Sequence, residues 1–417
     1  MNIDADTLRA EVRARLPDPL PCRLGVAVSG GSDSTALMRL LADIAQQEQL
    51  ELYAATVDHG LRPESASEAL AAAALAQRWG IPHEILKWQG WDRAGNLQDQ
   101  ARRARYRLLV AWAKAKGLQA IALGHTADDQ AETVLMRLAR AAGVSGLSAM
   151  SGSRKEEGIA LLRPLLTTTR ERLRDYLTAQ DISWIDDPSN QDQRFDRIKA
   201  RQVLSGLDQI GITAANLSRV AENMAQAREA LARYTQESAV RCIQVSDGDL
   251  CLDRGDFETL PEEIRRRLVI ASVLWIAGAG YPPRHNAVDQ VMDAISSGQT
   301  TTLGGCILVP EGKKTWICRE LNAIRDQCAR PLEPWDRRWI VSGPNHADAE
   351  IRALGEDGIR QLENWRSTGK PRTVVLSTPA VWTGDTVLAA PLASFANEWR
   401  VELLPERSDF AALILSH

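Results

Sequence analysis

Ser29-Gly30-Gly31-Ser32-Asp33-Ser34 decides the reading of this chain, because it stands between an apolar run, Leu24 to Val28, and an amphipathic stretch that begins at Thr35. A glycine turn between a buried strand and a helix start leaves the first-turn N–H groups unpaired beside the positive end of the helix dipole. That arrangement attracts an anion. Gly30 and Gly31 let a phosphate approach the backbone, and Ser29, Ser32 and Ser34 add hydroxyl donors. An ordinary turn with Asp33 or Ser34 as N-cap accounts for only part of the stretch. The loop lacks the lysine of the nucleoside triphosphatase P-loop and the GxGxxG spacing of dinucleotide folds, which excludes both.

Outward from this loop, short apolar runs alternate with amphipathic segments over roughly the first 185 residues, the pattern of β-α units and a parallel sheet. Leu24 to Val28, Leu52 to Val57 and Ala120 to Leu123 read as strands buried on both faces. Helices are expected at Thr35 to Gln47, Ser65 to Trp79, Asn96 to Lys116 and Ala127 to Ala142. After Pro188 the alternation stops, and Ile198 to Ser238 reads as a long helix with breaks near Gly206 and Gly211. An apolar helix at Ile264 to Ala277 and a hairpin turning at Glu311-Gly312 follow, before a Trp-rich final segment beyond Pro331. The fold class is therefore α/β: a doubly wound parallel sheet at residues 1–200, a helix-rich central domain at 201–330 and a small C-terminal domain at 331–417.

Two further strings follow predicted strands, Asp58-His59-Gly60-Leu61-Arg62-Pro63-Glu64-Ser65 and Gly124-His125-Thr126-Ala127-Asp128-Asp129-Gln130-Ala131-Glu132-Thr133. Open α/β sheets put their ligands at such carboxyl ends. The first loop resembles the SGGxDS motif of the PP-loop ATP pyrophosphatases, which split ATP into AMP and pyrophosphate. The other two strings resemble DHGLRPES and GHHxDDQxET of the tRNA(Ile)-lysidine synthases in that superfamily. Ala101 to Tyr106, Arg163-Pro164-Leu165-Leu166, Trp184 to Asn190, Asp196-Arg197 and Arg201 match as well, so the resemblance covers roughly the first 200 residues. Two positions depart: Thr126 replaces the second His of GHHxDD, and Ile198 stands where DRNxxR has Asn.

The resemblance implies a ligase in which Ser29, Gly30, Gly31, Ser32, Asp33 and Ser34 hold the pyrophosphate part of ATP, and Asp33 helps position Mg²⁺. Its substrates would be free lysine and an isoleucine tRNA with the anticodon CAU. Transfer of AMP to the C2 oxygen of the wobble cytidine makes that oxygen a leaving group, and lysine's neutral amine then attacks C2. Asp128, Asp129 and Glu132 are candidates for binding lysine's ammonium groups, assisting deprotonation or holding a second Mg²⁺, with Asp129 the candidate ligand. For Asp129 a cap shared with Thr126 is the alternative reading. Arg102, Arg105 and Arg201 are expected to neutralise phosphate or the developing oxyanion. His59 and His125 are expected to orient loops through hydrogen bonds rather than to move protons.

A net charge of −4 supplies no basic surface overall, so tRNA contact must come from local clusters, which a solvated helix face would imitate. They are Arg102, Arg103, Arg105 and Arg107; Arg170, Arg172 and Arg174; Arg194, Arg197, Lys199 and Arg201; and Arg265, Arg266 and Arg267. Arg197, Arg265, Arg266 and Arg267 are the candidate phosphate contacts, with Arg337 and Arg338 as further ones. The six cysteines form no CxxC pair and suggest neither a disulfide framework nor a metal site. With only Cys22 in the catalytic half, a tRNA thiolase is the weaker reading, and a glutamine-dependent amidotransferase has no room for its glutaminase. A non-catalytic tRNA-binding protein is the alternative of another class. No signal peptide or membrane-length apolar run is present, so the expected compartment is the cytoplasm, and no protein partner is inferable.

Overall fold

Strand β1 (Arg23–Ala27) lies in the middle of a six-stranded sheet, with β2 (Glu51–Asp58) and β3 (His83–Lys87) on one side and β4 (Ala120–Leu123) and the hairpin of β5 (Ser153–Glu156) and β6 (Ile159–Leu162) on the other. The computed structural model describes residues 5–61, 64–89, 97–185, 196–278, 281–407 and 409–416. The order is β3-β2-β1-β4-β6-β5, parallel except for β5. After β1 the chain winds outward to β3 and then returns to β4 on the other side of β1. The connections following β1 and β4 thus leave in opposite directions and open a crevice at their carboxyl ends.

Helices α1 (Ala5–Arg13), α2 (Ser32–Glu48), α3 (Ser65–Arg78), α4 (Leu97–Lys116), α5 (Ala127–Leu138), the single turn α6 (Val144–Leu147) and α7 (Arg170–Ala179) accompany the sheet. Strand periodicity sorts the core. Leu24, Val26, Ala120 and Ala122 face one cluster with Leu37, Leu41, Leu173 and Leu177. Ala27, Ile121 and Leu123 face the other, with Leu109, Val110 and Trp112 of α4. A Cβ at Gly25 would meet Trp112 Cζ3 at 2.7 Å, so the indole lies directly on the β1 backbone. The β5–β6 hairpin was not foreseen, because Ser153-Arg154-Lys155-Glu156 carries no apolar face. The long helix expected from Ile198 is α8 (Asp196–Leu207), a 3-10 turn (Asp208–Ile210) and α9 (Ala214–Cys242), with Gly211 at φ +81° marking the break.

The chain divides into two units, Met1–Arg228 and Glu229–His417. Residue 200 lies inside α8. The second unit holds helices α10 (Arg254–Glu258), α11 (Glu262–Ala277) and α12 (His285–Ser297). Its five-stranded antiparallel sheet runs β7 (Ile243–Ser246), β8 (Asp249–Asp253), β11 (Lys314–Arg319), β10 (Cys306–Glu311), β9 (Thr301–Leu303). The expected hairpin is β10–β11, pairing Glu311 with Lys314 around Gly312 at φ +57°. The unit also holds two three-stranded sheets, β12 (Pro334–Trp335) and β13 (Trp339–Ser342) with β17 (Arg400–Leu403), and β14 (Glu350–Ala353) with β15 (Pro379–Thr383) and β16 (Thr386–Ala389), and the short helices Leu321–Ile324, Gly355–Ile359, Arg372–Leu376 and Phe410–Ser416.

Arg338, expected to contact tRNA phosphate, is instead 1 % exposed. It donates to Asp336 Oδ2 (2.9 Å), to the Gly248 carbonyl (2.9 Å) and to Asp249 Oδ1 (3.3 Å), with Trp339 beneath its guanidinium. Its charge is consumed in packing the β7–β8 turn, where burial pushes the Asp249 carboxyl up to about 6.

At Gly124, the exit of β4, the two sides of the crevice approach closely: a Cβ there would stand 3.0 Å from Ser34 Cα and 3.1 Å from Ser34 N. Both are backbone atoms that no rotamer change can move. Gly124→Ala should lower unfolding stability by about 1–3 kcal/mol, read by denaturant titration, and weaken ATP binding in parallel. An alanine variant with unchanged stability and affinity would show that the two segments can part freely.

Candidate active site

The phosphate loop is shaped mostly by its own serines. Val28 N–H continues the ladder to the Ala55 carbonyl (2.8 Å), after which Gly30 takes φ +85° and Gly31 stands as N-cap of α2. The Ser34 hydroxyl accepts from Ser29 N–H (3.1 Å) and donates to the Gly31 carbonyl (3.1 Å), while the Ser29 hydroxyl lies 3.1 Å from it. These bonds close the loop and leave the first-turn N–H groups of α2 aimed into the crevice. A Cβ on Gly30 would meet Ile185 Cδ1 at 2.7 Å. Gly30 is therefore needed for loop shape as well as phosphate approach, whereas Gly31, at φ −70° with nothing nearer than 3.7 Å to a Cβ, is open on the phosphate side.

Opposite it, α5 begins with a capping box. Asp129 Oδ2 accepts from Thr126 N–H (2.9 Å) and from the Thr126 hydroxyl (3.3 Å), so the cap weighed against a chemical role for Asp129 is formed. Thr126 thereby does structural work at the position where the family pattern has His. Asp129 Oδ1 points the other way, 3.7 Å from Arg170 Nη2. Arg170 Nε donates to Asp33 Oδ2 (2.9 Å), and its backbone N–H donates to Asp128 Oδ2 (2.7 Å). Burial pushes the Asp33 carboxyl up and the Arg170 guanidinium draws it back down, leaving it above the ordinary aspartate value. Arg170 was visible in the sequence only as one of a basic cluster. Its signal was position, the first residue of a helix capped by Thr169 shortly after Arg163-Pro164-Leu165-Leu166.

The expected cations divide. Arg201 of α8 reaches Glu132 of α5, with Nε and Nη2 at 2.9 and 2.8 Å from Oε1. Glu132 Oε2 is buried and has no hydrogen-bond partner among the described residues. Arg105 forms no ion pair among the described residues, and burial lowers its pKa, the Asp129 charge acting against this. Arg102 is exposed and lies 5.4 Å from the Tyr106 ring, which Arg154 approaches from 4.7 Å. Burial pushes His125 down to about 3 against the pull of Asp129, with Arg105, Arg163 and Arg197 adding to the depression, so its imidazole is neutral at physiological pH. The loop-orienting hydrogen bonds expected of the two histidines are not made by Nδ1 of either His59 or His125 among the described residues. His59 instead packs edge-on to Trp88, centroids 5.7 Å apart. The turn after β2 is shaped by Asp58, whose Oδ1 accepts from Gly60 N–H (2.9 Å) and the Ser65 hydroxyl (2.8 Å).

Ile198 is buried on α8, so the position where the family pattern has Asn serves packing here. In the second unit, Arg266 pairs with Glu262 (3.0 Å) and with Asp289, and Arg267 pairs with Glu263 (2.8 Å). Arg62, Pro63, Trp91, Asn96, Asp186 to Asn190 and Arg194 lie outside the described residues.

Residues 7–207 match the family described as a PP-loop domain. Over all 417 residues the chain is 50 % identical to the tRNA(Ile)-lysidine synthase of Ruegeria pomeroyi (strain ATCC 700808 / DSM 15171 / DSS-3), covering 100 % of both. This chain belongs to the tRNA(Ile)-lysidine synthase family. The lysidine synthase of Wolbachia pipientis wMel is 37 % identical over 327 residues, 76 % of each chain. Among solved structures, the chain is similar to the U34-tRNA thiolase NcsA from Methanococcus maripaludis with its [4Fe-4S] cluster, at 18 % identity and TM-score 0.47, covering 53 % of this chain and 79 % of that one.

Of the six cysteines of this lysidine synthase family member, only Cys22 belongs to the first unit, and Cys328 of the second is exposed. Cys22 is exposed before β1, and Cys242, Cys251, Cys306 and Cys318 are buried in the second unit, where burial raises their thiol pKa values. Among the described residues no group of three or more His, Cys, Asp or Glu side chains could hold a metal ion. No described helix is long and apolar enough to cross a membrane.

The Glu132–Arg201 pair makes a pH-dependent prediction. Glu132 is 1 % exposed and Arg201 40 %, so losing the arginine strands the deeper charge. Arg201→Ala should cost about 1–3 kcal/mol at neutral pH. Burial raises the Glu132 pKa, so the folded protein binds a proton there more readily than the unfolded chain does. Arg201 holds that pKa down, so it rises further in the variant, and the cost of the unpaired charge is full above the variant's Glu132 pKa and shrinks as pH falls through it. Thermal unfolding of both proteins across the acid range checks this; a deficit independent of pH would contradict it.

Proposed function

We propose that the crevice between the β1 and β4 loops adenylates the C2 oxygen of the wobble cytidine in an isoleucine tRNA with the anticodon CAU, and then admits lysine to displace AMP. The observation that carries this reading is the meeting of a phosphate loop with three acids of one helix N-terminus inside a fold whose full-length relative is a lysidine synthase. The loop N–H groups and serine hydroxyls hold the pyrophosphate as the C2 oxygen attacks the α-phosphorus. Asp33 and Asp129 suit Mg²⁺, which takes one or two carboxylates alongside substrate phosphates rather than a full protein cage. When bound, Mg²⁺ would spread the charge of the leaving pyrophosphate. Glu132 holds Arg201 in place to neutralise phosphate.

In the second half-reaction, Asp128 and Asp129 offer carboxylate oxygens to lysine's ammonium groups. Arg105, a half-buried cation with no ion pair among the described residues, favours the neutral form of the attacking amine by repulsion. Arg102, which is exposed, and Arg197 in the first unit, and Arg265 to Arg267 in the second, are proposed tRNA phosphate contacts. Arg266 and Arg267 must exchange their acidic partners to serve. The need for tRNA and ATP supports the cytoplasm as compartment. A thiolase reading is disfavoured because no cysteine is among the described first-unit side chains gathered at the crevice.

Labelled lysine should enter unmodified isoleucine tRNA with the anticodon CAU in an ATP-dependent manner, and not the methionine tRNA with the same anticodon. Asp33→Ala and Arg105→Ala should each reduce ATP-pyrophosphate exchange by about 100-fold or more while thermal unfolding stays cooperative. Near-normal exchange in either variant refutes that residue's assignment, and no incorporation by wild-type protein that binds ATP refutes the reaction.

A further inference from the structure

Arg170 joins the two halves of the crevice, and its surroundings separate what its backbone does from what its side chain does. Its backbone N–H is given to Asp128 Oδ2, and Ala127 N–H is given to the Thr168 carbonyl (2.9 Å), so the starts of α5 and α7 are tied without the guanidinium. The body of α7 is fixed independently by Leu173, Tyr176 and Leu177 in the core and by the two-pronged pair of Arg172 with Glu11 at 2.6 and 3.0 Å. The guanidinium is free to serve another purpose. It lies against Asp33 Oδ2 at 2.9 Å and within 3.7 Å of Asp129 Oδ1, the two carboxylates proposed above for Mg²⁺. A positive group already stands between them.

We infer that Arg170 is a positioning residue that occupies the cation place between Asp33 and Asp129 until nucleotide arrives, holding the two carboxylates in register and then turning to the pyrophosphate as metal takes that place. Two like charges across a half-buried gap repel unless a counter-charge separates them, and the side chains of Arg170 and Asp33 are 18 % and 17 % exposed. A guanidinium and a divalent cation cannot both lie there. Metal without nucleotide must displace the guanidinium from both Asp33 and Asp129, whereas metal with ATP gives it a phosphate oxygen in exchange. Arg170 thereby makes metal binding depend on nucleotide, which keeps the acids from holding a metal ion unproductively. The inference rests on the proposed function for the choice of metal, but its readout does not involve lysine or tRNA.

The test is Mn²⁺ binding to the full-length protein, followed by the free-ion electron paramagnetic resonance signal, without nucleotide and with a non-hydrolysable ATP analogue. Wild type should bind Mn²⁺ alone weakly and gain affinity with the analogue. Arg170→Ala should bind Mn²⁺ alone about tenfold more tightly or better, since a unit charge a few ångströms away is removed, and lose most of the gain from nucleotide. Adding Asp33→Asn to Arg170→Ala should abolish the extra affinity, which assigns it to this place. Arg170→Lys, which keeps the charge without the fork, should fall between and carries the test if the alanine variant does not fold. Folded variants that bind Mn²⁺ alone no better than wild type, or that keep the full nucleotide gain, overturn the inference. A purely structural Arg170 would lower both affinities together. Failure of lysine incorporation with the Mn²⁺ pattern intact would count against the proposed function alone.

Discussion

The distance between two backbones, at Gly124 and Ser34, governs how this site is assembled. One strand ends in a loop that must keep N–H groups pointed at an anion, and the neighbouring strand ends in a helix start that must deliver acids to the same place. Neither loop encloses a ligand alone, so the site exists only as long as β1 and β4 are adjacent and their exits nearly touch. The sheet order secures the first condition and the missing side chain secures the second. The alternating burial of Leu24, Val26, Ala120 and Ala122 against one helical layer, and of Ala27, Ile121 and Leu123 against the other, makes that adjacency hard to lose.

On this frame the electrostatics follow a consistent division of labour. Acids at the start of α5 are favoured by the helix dipole and by a cap, yet each also meets an arginine from elsewhere: Asp128 and Asp129 meet Arg170 of α7, and Glu132 meets Arg201 of α8. The carboxylates are thus held in place by structure before any substrate is present. Buried charge of this kind adds little to stability, because desolvation offsets the attraction, but it fixes geometry. The neutral His125, surrounded by cations, fits the same scheme, since a charged imidazole there would add repulsion.

Much of the first unit was legible in the sequence because parallel strands buried on two faces leave near-continuous apolar runs, and the glycine-serine loop sits at the seam between one such run and a helix. The β5–β6 hairpin was not legible, since an edge strand of Ser, Arg, Lys and Glu has no apolar face to show. The acids at α5 were legible as a group, but their individual partners were not, because Asp128 is bonded by a backbone 42 residues further on. Arg170 escaped for the same reason: a basic residue in a basic cluster looks like a solvated face until the fold brings Asp33 to it. Arg338 misled in the opposite direction, an arginine beside another arginine that turns out to lie under the surface. The histidines were read as loop anchors, a role their Nδ1 atoms do not fill among the described residues, because burial without a partner leaves no trace in a sequence.

The buried Arg338 also bears on how chains of this kind can change over generations. It plugs the turn between β7 and β8 from some 90 residues downstream, and Trp339 beside it donates its indole N–H to the Asp247 carbonyl across the same gap. Loss of the final 80 or so residues with the β7–β8 turn left unchanged would strand Asp249, a carboxyl sealed from water with Arg338 as its hydrogen-bonding counter-ion. Insertions that lengthen the surface loops between these elements remain open to drift. A change that removes Arg338 is therefore expected to be matched by a change at Asp249.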